Sequence, residues 1–541
     1  MKLRCFLFFW AALLAVAGCT KVGTVAEGSR HPWTQPHVLR MADIADPDRF
    51  NPLLSTMDLV EDLSSLTFSY LIIADANGKL VGDLATEVPN IKNGGISKDG
   101  RTYIYHLHRA VKWHDNADFT SRDVKFTWQT VVNPNNNVLH REGYDRVNSI
   151  DTPDKYTLVV HLKDRYPPFV TKFFTSLQEG AKGILPEHLL GKLHDINQAA
   201  FNAQPVGTGP FKFATWERAR RVVLVRNDRY FKGRPKLAKV ILNVVPDDNT
   251  ILNQVKEHSL DLVVSPPASL YDQYRSIPDV VTSLVPWNAE NIFIINHKRP
   301  GLRHLEVRKA ITMAIDYDAL ITKVTHGVGA VAHDIVPAVA IGYTNNKPYL
   351  YDPAAANKLL DETGWKVSRD GVRSKGGERL DFGMHISNGS ANGRLIAVQM
   401  QQYFRAVGIA LSIKTYPYNV IFSHDGPIYT FRYDFANYSY TLPYDPDNLF
   451  YIGCDQIFPK GENIYHYCDA QVDAAEKAGL GTDDLATRAR IYHKAEARIH
   501  ETVPYIPLYV VRRVTVHSPD LKGFSASPTI APWWNAWQWD I

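Results

Sequence analysis

Apolar residues recur along this chain with two periods, two and about 3.6, and their interleaving predicts a mixed α/β protein. Strand-like alternation runs over residues 37–42, 101–107, 221–225, 239–244 and 261–264. Helical spacing covers 60–70 and 248–256, and marks Val307, Ala310, Ile311, Ala314 and Ile315 as one face. Thr120-Ser-Arg-Asp123 has the form of a capping box, in which side chain and backbone satisfy each other at a helix start. It opens a helix whose apolar face is Val124, Trp128, Val131 and Val132, and Asn133-Pro134 stops it. A further helix carries Ile396, Met400, Phe404 and Val407, with Gly408 placed to end it. Ile409, Leu411 and Ile413 then alternate as a strand, and a last long helix runs near 485–500, ahead of Pro504. No repeat period organises these elements.

The first twenty residues have a different pattern. Lys2 and Arg4 precede an unbroken apolar run from Phe6 to Ala17. At about 12 residues it is short of the roughly 20 that a membrane span needs, and has the size of a signal-peptide core. Val16-Ala17-Gly18-Cys19 resembles the bacterial lipobox, in which the cysteine thiol takes diacylglycerol, so residues 1–18 read as a lipoprotein signal peptide. Acyl chains on Cys19 would fix the protein to a bilayer. A plain signal peptide cut elsewhere is the simpler alternative. Residues 19–36 are polar and broken by Gly and Pro, as a tether would be.

Export changes the reading of the four cysteines. Cys5 leaves with the signal and Cys19 is the lipidation site, so Cys454 and Cys468 remain in an oxidising compartment. A disulfide there closes a loop of about 14 residues, worth roughly 3 kcal/mol. A zinc pair is the rival, but only His466 stands nearby.

Length and charge narrow the function. The 541 residues hold three or four domains' worth of core, and 45% hydrophobic with 21% charged residues is ordinary folded composition. Sixty basic against 56 acidic residues, spread evenly, give no basic face for nucleic acid. Catalytic signatures are missing. There is no Gly-x-Ser-x-Gly elbow, and His500-Glu501 has Pro504 where a zinc protease needs its second histidine. Gly207-Thr-Gly209-Pro-Phe-Lys212 starts like a phosphate loop but lacks the third glycine and the following helix. His106 and His108 share a strand face near His114, which suits exposed strand positions better than a metal site. The chain reads as a binder without cofactor or metal.

Six blocks, in order, resemble the family 5 extracellular solute-binding proteins of ABC transporters, of the oligopeptide- and dipeptide-binding type. They are Asn51-Pro-Leu-Leu54 with the helix after it; Gly82-Asp-Leu-Ala-Thr86; and Ser97 to Leu107 with Val111-Lys-Trp-His-Asp115 and Phe119 to Phe126. Val206-Gly-Thr-Gly-Pro-Phe211, Asn227-Asp-Arg-Tyr-Phe-Lys-Gly233 and Val307-Arg-Lys-Ala-Ile311 with Ile315-Asp316 follow. Asn116 stands where a glycine is common, and Cys454/Cys468 fall where dipeptide-binding members carry a disulfide.

The resemblance implies a periplasmic-binding-protein-like clamshell of the large type II, cluster C kind, with two α/β lobes. Lobe I would comprise 37–76, 203–291 and 506–541, an extra domain 77–202, and lobe II 292–505. It also implies a monomer that captures oligopeptides between the lobes and delivers them to a membrane permease, on the periplasmic or outer face of the membrane. Cleft residues would come from Tyr438, Tyr440 and Tyr444, with Trp287 near the hinge. One departure stands out. Aligned on Asp445-Pro-Asp-Asn448, the position of the ammonium-holding aspartate is Leu442, so a peptide N-terminus would fall to Asp445 or Asp58. An oligosaccharide or a metal chelate in the same cleft is the alternative ligand. An exported, lipid-anchored glycoside hydrolase is the alternative of another class, and would need paired carboxyls across a sugar bond.

Overall fold

A computed structural model describes residues 30–541 apart from 56, 139–140, 178–181, 333–342, 345, 389, 424, 442–443 and 530–531. The signal peptide, Cys19 and Leu442 therefore lie outside the described residues.

One eleven-stranded sheet organises the chain. Its main path uses β1 (Val38–Asp43), β2 (Phe211–Glu217), β3 (Arg221–Arg226), β4 (Lys239–Val244), β5 (Leu262–Val264), β6 (Val281–Ile295), β7 (Asp381–Ser387), β8 (Ala410–Tyr416), β9 (Phe435–Thr441) and β10 (Tyr505–His517). The spatial order is β8-β7-β9-β6-β10-β5-β1-β4-β3-β2. Alternation located five of these ten strands, β1, β3, β4, β5 and β8, because one buried face per strand imposes the period of two. Order is another matter: β10, from the end of the chain, inserts antiparallel between β5 and β6.

β6 and β10 are the long strands and run through two separate cores. Leu284 of β6 and Val514 and Val516 of β10 pack around Ile251, Leu252 and Tyr274. Farther along, Phe293 and Ile295 of β6 and Ile506 and Leu508 of β10 belong to a core built on Val307, Ile311, Met400 and Phe404. A third core fills residues 53–201 around a small antiparallel sheet of Thr102–His106, Val147–Asp154 and Thr157–Leu162.

Helices follow their sequence signals. Of α1 (Asp58–Thr67), α2 (Ser121–Val132), α3 (Leu305–Ala314), α4 (Ala391–Ala406) and α5 (Leu485–Thr502), α2 has the reciprocal capping box of Thr120 and Asp123. Gly408, just past α4, sits at φ +75°, the left-handed conformation that glycine reaches without a Cβ clash. Asn116 takes φ +74°, a region asparagine tolerates better than most residues. Cys454 and Cys468 are disulfide-bonded. Trp533 and Trp539 are buried packing residues against β1 to β5.

Residues 31–36, expected to be part of a tether, are fastened down. Trp33 is stacked between His31 and His258 at ring separations of 4.6 and 4.1 Å, and the His31 amide and Thr34 hydroxyl both donate to Asp520. Two ring stacks and a buried carboxylate outweigh the polar look of the stretch.

Candidate ligand-binding cleft

The pairing of β6 with β10 breaks where the two cores meet. Pro286 faces Arg512 and Glu290 faces Val510, so three residues of β6 oppose one of β10. Pro286 has no N–H to give the ladder, and the strand bulges as a result. The bulge carries Trp287, Asn288 and Ala289; Asn288 and Glu290 are buried. Trp287 is half-buried, and its indole N–H has no hydrogen-bond partner among the described residues.

Arg513 of β10 lies over the Trp287 ring, its guanidinium carbon 4.3 Å from the ring centroid, a cation–π placement. The same guanidinium faces α1, 3.5 Å from Asp62 and 3.9 Å from Asp58. These two acids differ. Asp62 is buried, and the loss of hydration outweighs the attraction of Arg513, pushing its carboxyl up to about 7. Asp58, in the first turn of α1, keeps 68% of its side chain exposed. Of the two acids beside Arg513, Asp58 is the solvent-exposed one.

Tyr438 and Tyr440 lie on β9 beside the bulge, with Tyr440 opposite Glu290 and Tyr438 opposite Ile292. The Tyr438 ring meets Phe422 edge-on at 5.3 Å, and its hydroxyl hydrogen-bonds Tyr465, which ties it to the core behind. The Tyr440 side chain is outside the described residues.

The two remaining candidates are committed elsewhere. Both carboxylate oxygens of Asp445 accept from Arg488, at 2.5 and 2.7 Å, and each side chain is 1% exposed. The suggestion that Asp445 holds a peptide ammonium is corrected by this pairing: its charge is already neutralised inside the protein. Tyr444 is 7% exposed and donates to the Gly78 carbonyl at 2.6 Å, so it joins two parts of the chain and does not line the cleft.

Sequence reasoning missed Arg513 and Asp62. The signal was present in Arg512-Arg513, a charged pair inside the otherwise apolar stretch from Tyr505 to Val516. An arginine in such a strand needs a buried partner.

Gly207 and Gly209 serve the packing of the body. A Cβ on Gly207 would stand 1.8 Å from the Thr67 carbonyl oxygen, so the loop lies directly on the end of α1. His114 clamps the loop by accepting from the Gly207 amide through Nδ1 and donating from Nε2 to the Gly209 carbonyl. Burial drives its pKa down to about 4, keeping the ring neutral. Among the described residues no group of three or more His, Cys, Asp or Glu is arranged to hold a metal ion.

Comparison with known proteins agrees with this architecture. The oligopeptide-binding protein AppA of Bacillus subtilis is 26% identical over 545 residues, covering 97% of this chain and 96% of that protein. NikZ from Campylobacter jejuni, solved in complex with Ni(L-His), is 26% identical with a TM-score of 0.72, over 94% of this chain and 100% of its own. The structure of Bacillus subtilis AppA with a nonapeptide has the same bilobal α/β fold, at 24% identity and TM-score 0.70 over 93% of this chain and 99% of its own. The family model described as bacterial extracellular solute-binding proteins, family 5 Middle, matches residues 79–456, and the chain belongs to that family.

Proposed function

We propose that this protein is the capture component of an ABC importer, a non-enzyme that closes on oligopeptides where β6 and β10 cross and passes them to a membrane permease. The lobes would be 37–76 with 203–291 and 506–541, and 292–505, with 77–202 as an added domain. The crossing strands are the natural hinge, since each leaves one core and enters another. Export and a lipid anchor at Cys19 complete the reading.

One observation carries it: an exposed carboxylate (Asp58) and a half-buried indole (Trp287) converge on Arg513 at the strand crossing. Peptide backbones are held by hydrogen bonds that ignore side chains, and a charged end needs an opposite charge. A ligand touching both lobes stabilises the closed state by its differential affinity alone. The relative named as oligopeptide-binding across nearly its whole length supports peptides. A metal chelate is the second reading, from the relative solved with nickel and histidine.

Native mass spectrometry of Thr20–Ile541, expressed without the anchor in an oxidising compartment, separates the readings. A ladder of adducts releasing mixed short peptides on denaturation is expected. A single adduct containing a metal would replace peptide with chelate, and hexose spacing would replace both with sugar.

A further inference from the structure

Residues 77–202 meet the rest of the protein through two contacts of different kinds. Toward α1 the join is a core. Leu53, Leu54, Phe68, Leu71 and Ile72 are buried with Trp113, Phe119, Val124 and Phe173 in one apolar cluster, and the His114 clamp adds hydrogen bonds. Toward residues 444–483 the join is mainly polar, and Lys172, Glu142 and Tyr166 stand within electrostatic reach of Asp447. Arg165 donates through Nε and Nη2 to one oxygen of Asp483, at 2.9 and 2.6 Å, and the Tyr103 hydroxyl reaches the other oxygen at 3.3 Å. The Asp483 side chain is 1% exposed, against 34% for Arg165, so the acid is sealed in by its partner. Gly100 permits this approach, because a Cβ there would stand 2.7 Å from Asp483 Oδ2. Tyr444 adds the bond to Gly78 and a plug against Ala74 and Leu177.

Separating the first contact exposes a large apolar core; separating the second exposes mainly hydrogen-bonded groups, with one small apolar plug at Tyr444. The domain must therefore move with α1 and part from 444–483 when the protein opens. We propose that Arg165, Tyr103 and Asp483, with Tyr444 on Gly78, form a closure latch. It holds the added domain against the far lobe, sets how often the protein closes without ligand, and slows release of bound cargo. This rests on the clamshell reading above. A latch that favours closure raises apparent affinity by enlarging the binding-competent fraction, with no ligand contact of its own.

The test uses the full exported chain, purified in detergent, with spin labels on Lys155→Cys and Lys358→Cys. Both native side chains are well exposed, at 65% and 76%, and lie on either side of the latch. Electron–electron resonance distances are recorded with and without a tryptic digest of casein. Asp483→Asn and Arg165→Gln should each shift the distribution to longer distances without ligand. Each should also speed release of bound peptide about fivefold, the double variant doing no more than either single. Thermal melting confirms that each variant is folded. Unchanged distances in both singles would overturn the latch. So would additive effects of the two. Distances that answer to the latch variants but not to the digest would leave the latch standing and remove peptide as the ligand.

Discussion

Asp445 and Arg488 hold each other by two parallel hydrogen bonds, at 2.5 and 2.7 Å, in a part of the protein where neither side chain is more than 1% exposed. Arg488 also donates to the Gly479 carbonyl at 3.0 Å and to the Tyr492 hydroxyl at 3.1 Å. A charge pair this deep offsets its own desolvation only while both members are present. Arg488→Met should lower the unfolding free energy by about 3–5 kcal/mol in urea titrations, and Asp445→Leu added to it should recover most of that. Ligand affinity should not change in the double variant. Binding lost with stability intact would return Asp445 to the cleft.

Asp58 is the exposed acid at the strand crossing, and its replacement isolates the charge. Asp58→Asn should weaken peptides with a free N-terminus about tenfold or more, the worth of a charge-assisted bond. N-acetylated versions of the same peptides should bind both forms equally in calorimetric titrations. Equal weakening of both sets would mean that Asp58 shapes the site without meeting the ammonium.

Asp62 makes stability fall as pH rises. Its carboxyl is pushed from 3.8 up to about 7, so between these values the folded protein holds a proton that the unfolded chain has lost. The cost is absent below pH 4 and complete above pH 7, at most about 4 kcal/mol. Asp62→Asn should remove it, so that melting of the variant gains on wild type between pH 4 and 7. Parallel pH profiles would show that Arg513 already compensates the charge.

His114 acts with the opposite sign. Its folded pKa is lowered from 6.5 to about 4, so the unfolded chain binds the extra proton in that window and stability falls as pH drops through it. The loss is at most about 3 kcal/mol. His114→Ala should melt lower at pH 7 for want of the two loop hydrogen bonds, and the gap should narrow toward pH 4. Because Asp62 and His114 oppose each other, differences between variants and wild type are the readout. A gap constant with pH would show that folding leaves the His114 pKa where the unfolded chain has it.

How far each feature could be read depends on the distance along the chain over which its cause acts. The capping box of α2, the strands at 221–226 and 239–244, the helix Asp248–Lys256 and the turn at Gly408 follow from contacts two to four residues apart. Local backbone sterics and burial of one face suffice to write them into the pattern. Family membership was legible too, through six blocks kept in order. The site was legible only in part. Trp287 was visible beside a proline inside a strand, and Asp58 as one of two acids left once Leu442 occupied the expected position. Nothing local tells Asp445 that Arg488 will consume it, or Asp62 that Arg513, 451 residues away, will face it. Those pairings exist because β10 crosses the sheet to lie beside β6 and because α5 returns beneath residue 445. A carboxylate's exposure and charge state are properties of what packs around it, and that is decided only when distant segments meet.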